Sequence, residues 1–136
     1  IGEKQVFVVD AVFDAMKSAM ERAGALQLSG QQIDRLTEKA IVMVGEGEHR
    51  HPAPAKELLG KDASLLADAA GASGREGLEL VFGETDISNP FVPVEQMMPF
   101  VPFVRCANAC CRFTRTSWSR NQNHALRRTD GINNLS

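Results

Sequence analysis

The sequence predicts an α/β fold in which a mostly parallel sheet has helices on its faces. Short apolar, β-branched runs alternate along the chain with amphipathic segments of roughly ten residues that have helical spacing. Strands separated by such helices are joined by crossover connections, which make neighbouring strands parallel. The composition, 43% hydrophobic and 24% charged over 136 residues, is that of one modest globular core.

The first strand is predicted at Val6–Val9, a continuous apolar run typical of a strand that is buried on both faces. Asp10 is expected to cap the helix that follows, since the apolar positions of residues 12–23 keep helical spacing. Gly24 stands where a left-handed residue ends a helix.

The next elements are a short strand at 25–28, a helix and a third strand at Ile41–Val44. Ser29 and Gln32 have the spacing of a capping box and place the start of this helix, which continues to Ala40.

The second half of the chain is predicted less regularly. Residues 45–56 are expected to form a polar loop, Asp62 to cap a short helix, and residues 78–82 to form a strand. Residues 99–104 are expected to be extended but interrupted by prolines.

The net charge of −2 argues against a nucleic-acid-binding protein, but it conceals an asymmetry. Residues 1–104 contain nine basic and sixteen acidic side chains, whereas residues 105–136 contain six Arg and one Asp. After Arg105 the apolar residues follow neither strand nor helix spacing. We therefore expect one domain up to residue 105 and an atypical basic tail at 106–136.

No apolar run approaches the ~18 residues that a membrane span requires, and the opening residues lack the pattern of a signal peptide. Cys106, Cys110 and Cys111 are odd in number and clustered, so free thiols in a reducing compartment are expected. These features predict a cytoplasmic protein without a membrane partner.

Other side-chain patterns give little indication of a metal-binding or catalytic site. His49 and His51, two apart in a loop with no cysteine nearby, are expected to be solvated rather than to bind a metal, so no metal site is predicted. Nothing orients Cys110 or Cys111 toward His124 for catalysis.

Five segments of residues 1–105, in order, resemble the CoA-acylating aldehyde dehydrogenases of the acetaldehyde and propionaldehyde type. Their sequences are IGEKQVFVVD at 1–10, GKDA at 60–63, GETD at 83–86, NPFV at 89–92 and EQMMPFVPFVR at 95–105. The resemblance departs from the family at Asn89, where the family usually has His, and again beyond Arg105. It implies that residues 1–105 are part of an aldehyde dehydrogenase catalytic domain, and it leaves a tail that is frame-shifted, degenerate or foreign.

The resemblance implies an enzyme that uses NAD and coenzyme A to convert a small aldehyde to an acyl-CoA through a cysteine thioester. It would put the nucleophilic cysteine one residue before Ile1, so this chain is expected to contain no catalytic residue. It also implies that the protein could form a homo-oligomer and could associate with a bacterial microcompartment.

Two cofactor-binding residues follow from the resemblance. Glu95 matches the acidic residue that holds the ribose hydroxyls on the nicotinamide side of the cofactor, and a carboxylate is suited to accept two hydrogen bonds from a vicinal diol. Met97 matches the position where many hydrolytic relatives of the family place an aromatic ring against the nicotinamide. The alternative is a non-catalytic relic, or a small binding or assembly module with the same partial fold.

Overall fold

The computed structural model describes residues 5–107 and confirms the α/β class. Four parallel strands form the main sheet in the order β1-β6-β5-β2, and a separate antiparallel hairpin pairs β3 with β4. The elements are β1 (Val6–Val9), α1 (Asp10–Arg22), β2 (Leu26–Gln27), α2 (Gly30–Ala40), β3 (Ile41–Val44), β4 (His51–Pro54), α3 (Ala63–Ala69), β5 (Val81–Thr85) and β6 (Phe100–Cys106).

Helices cover both faces of the main sheet. Because successive residues of a strand point to opposite faces, Val81 and Phe82 of β5 belong to two different buried clusters. Val81 packs with apolar residues of α2 and α3, and Phe82 packs with Phe13 of α1 and Phe103 of β6. Within residues 5–107, no helix has the length and apolar character needed to cross a membrane.

Local signals placed the first helices well. Both hydrogen bonds of the capping box are present, from the Gln32 N–H to Ser29 Oγ and from the Ser29 N–H to Gln32 Oε1. Gly24 follows α1 with a φ of +95°, as predicted. The prediction for Asp10 was wrong, because Val9 is the N-cap and Asp10 is the first helical residue. Asp62 occupies the N-cap of α3 without a side-chain capping bond.

The strand at Ile41–Val44 exists but does not join the parallel sheet, and the predicted polar loop contains its partner, β4. Two prolines in β4 concealed this strand. Pro54 pairs with Ile41 and Pro52 with Met43, whereas the N–H of Ala55 donates to Ala40 O. Since hydrogen-bonded pairs alternate along an antiparallel ladder, both prolines lie at positions that need no N–H.

Two strands of the main sheet also differ from the prediction. β5 runs over Val81–Thr85, about three residues later than predicted, because β6 pairs with all five of these residues and β2 pairs with the first two. β6 is continuous through Pro102. Pro102 lies opposite Gly83 of β5, and the pairing of β6 with β1 begins only at Phe103. Pro102, which has no backbone N–H, therefore lies before the part of β6 that bonds to β1.

Candidate functional site

The amino edge of the sheet, where the parallel strands begin, carries both predicted cofactor-binding residues. They lie in residues 95–99, here called the Glu95 loop, which leads directly into β6. Burial alternates along this loop: Glu95 and Met97 are exposed, whereas Gln96 and Met98 are buried. The loop therefore exposes the two predicted residues to solvent, while its buried residues anchor it to the protein.

The buried residues hold the Glu95 loop in place. Gln96 Nε2 donates a hydrogen bond of 3.1 Å to the carbonyl oxygen of Phe100, the first residue of β6. Met98 belongs to the larger apolar core. Met97 has a φ of +48°, a backbone region that is costly for a residue with a side chain, and its side chain is 76% exposed. Such strain persists only where the surrounding contacts impose it, and it is frequent in ligand sites.

A second segment of the resemblance contacts this loop. The backbone N–H of Gly60 donates to the carbonyl oxygen of Met97 over 3.3 Å, and Gly60 has a φ of +64° that suits glycine. The segments at 60–63 and 95–99, thirty-five residues apart in the sequence, are thus neighbours at the amino edge.

The start of β1 lies at the same edge. β1 and β6 are parallel, with Val6 opposite Phe103, so the chain enters β1 from the side on which the Glu95 loop enters β6. This is the side on which the resemblance would place the nucleophilic cysteine. Glu3 and Lys4, which belong to that segment of the resemblance, lie outside the described residues, as do Cys110, Cys111, His124 and the tail from residue 108.

The opposite, carboxyl edge of the sheet carries an acidic cleft of about 340 Å³. Its lining comes from the first turns of α2, the end of β5 and the chain that follows β5, and it includes Asp34, Glu84, Asp86 and Asn89. Asn89 Oδ1 accepts a hydrogen bond from the Phe91 N–H, so it stabilises a turn. Asn89 is the residue that replaces the family's His, and it lies across the sheet from the Glu95 loop.

Asp86 also shapes this turn. The Ser88 N–H donates to Asp86 Oδ1 over 2.8 Å and lowers the pKa of Asp86 below its usual value. The ionised carboxylate therefore stabilises the folded state above the unfolded pKa, and this contribution is lost as the pH falls through the folded value.

We expect Asp86→Asn to weaken the decrease in the free energy of unfolding as the pH falls below about 5. The amide keeps an acceptor for the Ser88 N–H but cannot be protonated. In urea titrations from pH 5 to about 2, where aspartates titrate, the parent chain should lose more stability than the variant. Identical slopes would show that the charge of Asp86 does not contribute.

Arg105, at the end of β6, organises a cluster that sequence analysis missed. Its guanidinium bonds Glu84 of β5 over 2.9 Å, contacts Asp10 and Asp14 of α1, and lies 3.8 Å from the centroid of the buried Phe13 ring. Hydrogen bonds to Glu84 and then to Asp10 raise the pKa of Arg105. The pKa of Asp14 is lowered, mainly by its hydrogen bond to Lys17. The cluster ties α1 to the ends of two strands.

Arg105→Lys should lower the melting temperature, because an ammonium is a point charge that cannot serve three carboxylates and also stack on Phe13. The difference from the parent should shrink at 1 M NaCl, where exposed ion pairs are screened. Thermal melts at two salt concentrations measure it, with Arg22→Lys on the surface of α1 as the control. An equal effect at Arg22 would contradict a special role for the cluster.

The histidines interact locally. His51 Nδ1 lies 3.0 Å from the carbonyl oxygen of His49, at the start of β4. Among residues 5–107, no three His, Cys, Asp or Glu side chains are grouped as they would be around a metal ion. Cys106 is buried in β6, where its Sγ lies 3.9 Å from the carbonyl oxygen of Val104.

Known proteins similar to this chain agree with the resemblance, although no family model matches it. An acetylating acetaldehyde dehydrogenase of Bilophila wadsworthia is 33% identical over 109 residues, which cover 78% of this chain and 22% of that protein. A CoA-propanoylating propanal dehydrogenase of Citrobacter freundii is 34% identical over 76% of this chain and 21% of its own length. The chain thus spans about a fifth of the length of these curated relatives.

Solved structures show the same fold. A propionaldehyde dehydrogenase from a fucose-utilisation microcompartment of Clostridium phytofermentans superposes with a TM-score of 0.67 at 24% identity, covering 79% of this chain and 23% of that one. The Rhodopseudomonas palustris propionaldehyde dehydrogenase with bound propionyl-CoA has a TM-score of 0.64 at 25% identity, over 76% and 22% of the two chains. Over about a fifth of their length, the chain is therefore homologous to the CoA-acylating acetaldehyde and propionaldehyde dehydrogenases.

Proposed function

We propose that this chain is the part of a CoA-acylating aldehyde dehydrogenase that holds the nicotinamide half of NAD. The complete enzyme would convert a short aldehyde to an acyl-CoA through a cysteine thioester. The observation that carries this proposal is the exposed Glu95, presented at the amino edge by a loop whose alternate residues, Gln96 and Met98, are buried.

Glu95 would accept hydrogen bonds from the two adjacent hydroxyls of the ribose. An ionised carboxylate has two oxygens for this purpose, and a pair of bonds fixes the orientation of the ring better than one. Because Gln96 and Met98 leave the backbone of the loop little freedom, Glu95 is positioned before the cofactor arrives.

Met97 would pack beside the nicotinamide. Its side chain is unbranched and polarisable, so it can fill irregular space without imposing the fixed plane of an aromatic ring. Its exposure of 76% leaves the side chain available for such a contact.

NAD, when bound, supplies the hydride acceptor, and CoA takes the acyl group. Support for CoA comes from the Rhodopseudomonas palustris relative with bound propionyl-CoA. An engineered glycolyl-CoA reductase of the same fold contains NADP+, so the choice between NAD and NADP remains part of the proposal. We propose a cytoplasmic location, within a microcompartment like that of the Clostridium phytofermentans protein, and a homo-oligomer.

A chimera tests this function against the alternative of a non-catalytic relic or an assembly module. Residues 5–107 would replace the matching segment of the Bilophila wadsworthia enzyme, which supplies the remaining four-fifths of the protein. We expect aldehyde-dependent and CoA-dependent NADH formation above that of the isolated 136-residue chain. A chimera that melts cooperatively near the parent temperature but does not turn over would favour the non-catalytic alternative.

A further inference from the structure

Lys61 lies beside the Glu95 loop, and the proposed function leaves it without a role. We infer that Lys61 binds a phosphate group of the same ligand whose ribose Glu95 holds. This inference rests on the proposed function and adds a second binding residue to that site. Three observations carry it: the contact between the two loops, the charge of Lys61 and the chemistry of the ligand.

The contact places Lys61 at the site. Gly60, the residue before it, donates its N–H to Met97 O, and the Lys61 N–H donates to Leu58 O. These two bonds fix the backbone on both sides of the Lys61 side chain. The Cα of Lys61 is therefore held next to the Glu95 loop, and its long side chain is free to reach across the exposed surface.

The charge of Lys61 is available to a ligand. Lys61 is exposed, and within residues 5–107 its ammonium makes no ion pair. Two other lysines of the described chain, Lys17 and Lys39, are engaged in the fold. Lys17 pairs with Asp14 and Glu84, and Lys39 Nζ donates to the carbonyl oxygen of Ala69 at the end of α3.

The chemistry of the ligand matches a carboxylate and an ammonium side by side. A carboxylate recognises a ribose diol, and a lysine ammonium recognises a phosphate as a point charge with three donors. In a nucleotide these groups occur together, since the phosphate ester is attached to the same ribose that carries the diol. CoA also carries phosphates, but its ribose bears one of them in place of a hydroxyl and so lacks the vicinal diol, which favours the nicotinamide nucleotide.

The experiment compares ligands with and without phosphate on the full 136-residue chain. The pairs are nicotinamide mononucleotide against nicotinamide riboside, and CoA against pantetheine. Affinities are measured by following amide chemical shifts of the segments at 60–63 and 95–99. We expect Lys61→Met to weaken the phosphate-bearing ligand about three- to tenfold and the phosphate-free ligand not at all. A difference in the nicotinamide pair supports the inference, whereas a difference in the CoA pair alone would assign Lys61 to CoA and overturn it.

Three variants serve as controls. Lys61→Arg keeps the charge and should bind within about twofold of the parent. Lys56→Met changes the net charge of the chain as Lys61→Met does, but at another exposed lysine, in the 3-10 helix at Lys56–Leu58. This variant should bind like the parent. Glu95→Gln should weaken both members of the nicotinamide pair alike.

The outcomes separate the two hypotheses. If Lys61→Met leaves all affinities unchanged, or weakens both members of a pair equally while Glu95→Gln still has its effect, the role of Lys61 is overturned and the proposed function stands. An effect of Lys56→Met as large as that of Lys61→Met also overturns it. If no ligand shifts the amides of either segment in the parent chain, the proposed function and the role of Lys61 both fail.

Discussion

Glu95→Gln should slow hydride transfer about ten- to a hundredfold in the chimera that contains residues 5–107. The amide is nearly isosteric and keeps one acceptor, but it loses the charge-assisted bonds to the ribose diol, each worth roughly 1.5–3 kcal/mol. Because Glu95 is exposed and its pairing is with the ligand, the fold should be unaffected. The loss should therefore appear in catalysis and cofactor affinity.

Single-turnover NADH formation separates the steps that Glu95→Gln affects. Hydride transfer should be slower, whereas capture of the aldehyde should change little, since the carboxylate is proposed to contact the cofactor alone. A thermal melt checks the fold, and Glu21→Gln, an exposed glutamate on α1, is the matched control. Unchanged hydride kinetics and cofactor affinity would make Glu95 an ordinary solvated carboxylate.

Features that depend on a few neighbouring residues could be predicted from the sequence. The capping box of Ser29 and Gln32 and the left-handed Gly24 are determined within one helical turn, and the structure has both. The four-residue apolar runs at Val6–Val9 and Ile41–Val44 are both strands. The α/β class follows from these signals because their order along the chain dictates crossover connections.

Features that depend on distant residues could not be predicted from the sequence. Nothing near Ile41–Val44 shows that its partner is a proline-containing strand rather than the parallel sheet. Arg105 is ninety-five residues from Asp10 along the chain, and only the parallel pairing of β1 with β6 brings them together. A signal was available in retrospect: Arg105 is the one charged residue of an otherwise apolar β6, and Asp10 and Asp14 are one helical turn apart.

The candidate site shows the same division. The motif at 95–99 identified Glu95 and Met97 by resemblance, but periodicity did not indicate that they are exposed between buried neighbours. The hydrogen bond from Gly60 to Met97 could be recognised only from the structure, since the segment at 60–63 is far from the Glu95 loop in sequence. The roles of Glu95 and Met97 in cofactor binding stay predictions until the variants are measured.

Gly83→Ala should destabilise the chain by about 1–3 kcal/mol, the usual cost of inserting a methyl group into a well-packed core. A Cβ at Gly83 would lie 2.5 Å from Ile33 Cδ1 and 3.0 Å from the carbonyl oxygen of Leu28. Ile33 is buried in the larger apolar core, where α2 packs on β5, so it has little room to move. Urea denaturation of the full chain measures the loss, and Gly30→Ala, where a Cβ has no neighbour within 4 Å, should be neutral or stabilising.

A double variant tests the steric origin of this loss. Ile33→Val removes the Cδ1 atom that the new Cβ would meet and by itself should cost about 0.5–1.5 kcal/mol. If the clash causes the loss, Gly83→Ala combined with Ile33→Val should be less destabilised than the two single losses added together, by roughly 0.5 kcal/mol or more. Strictly additive losses would instead assign the effect to the Leu28 carbonyl, which is present in both the parent and the Ile33→Val variant. Close packing of α2 on β5 would then not explain the glycine at position 83.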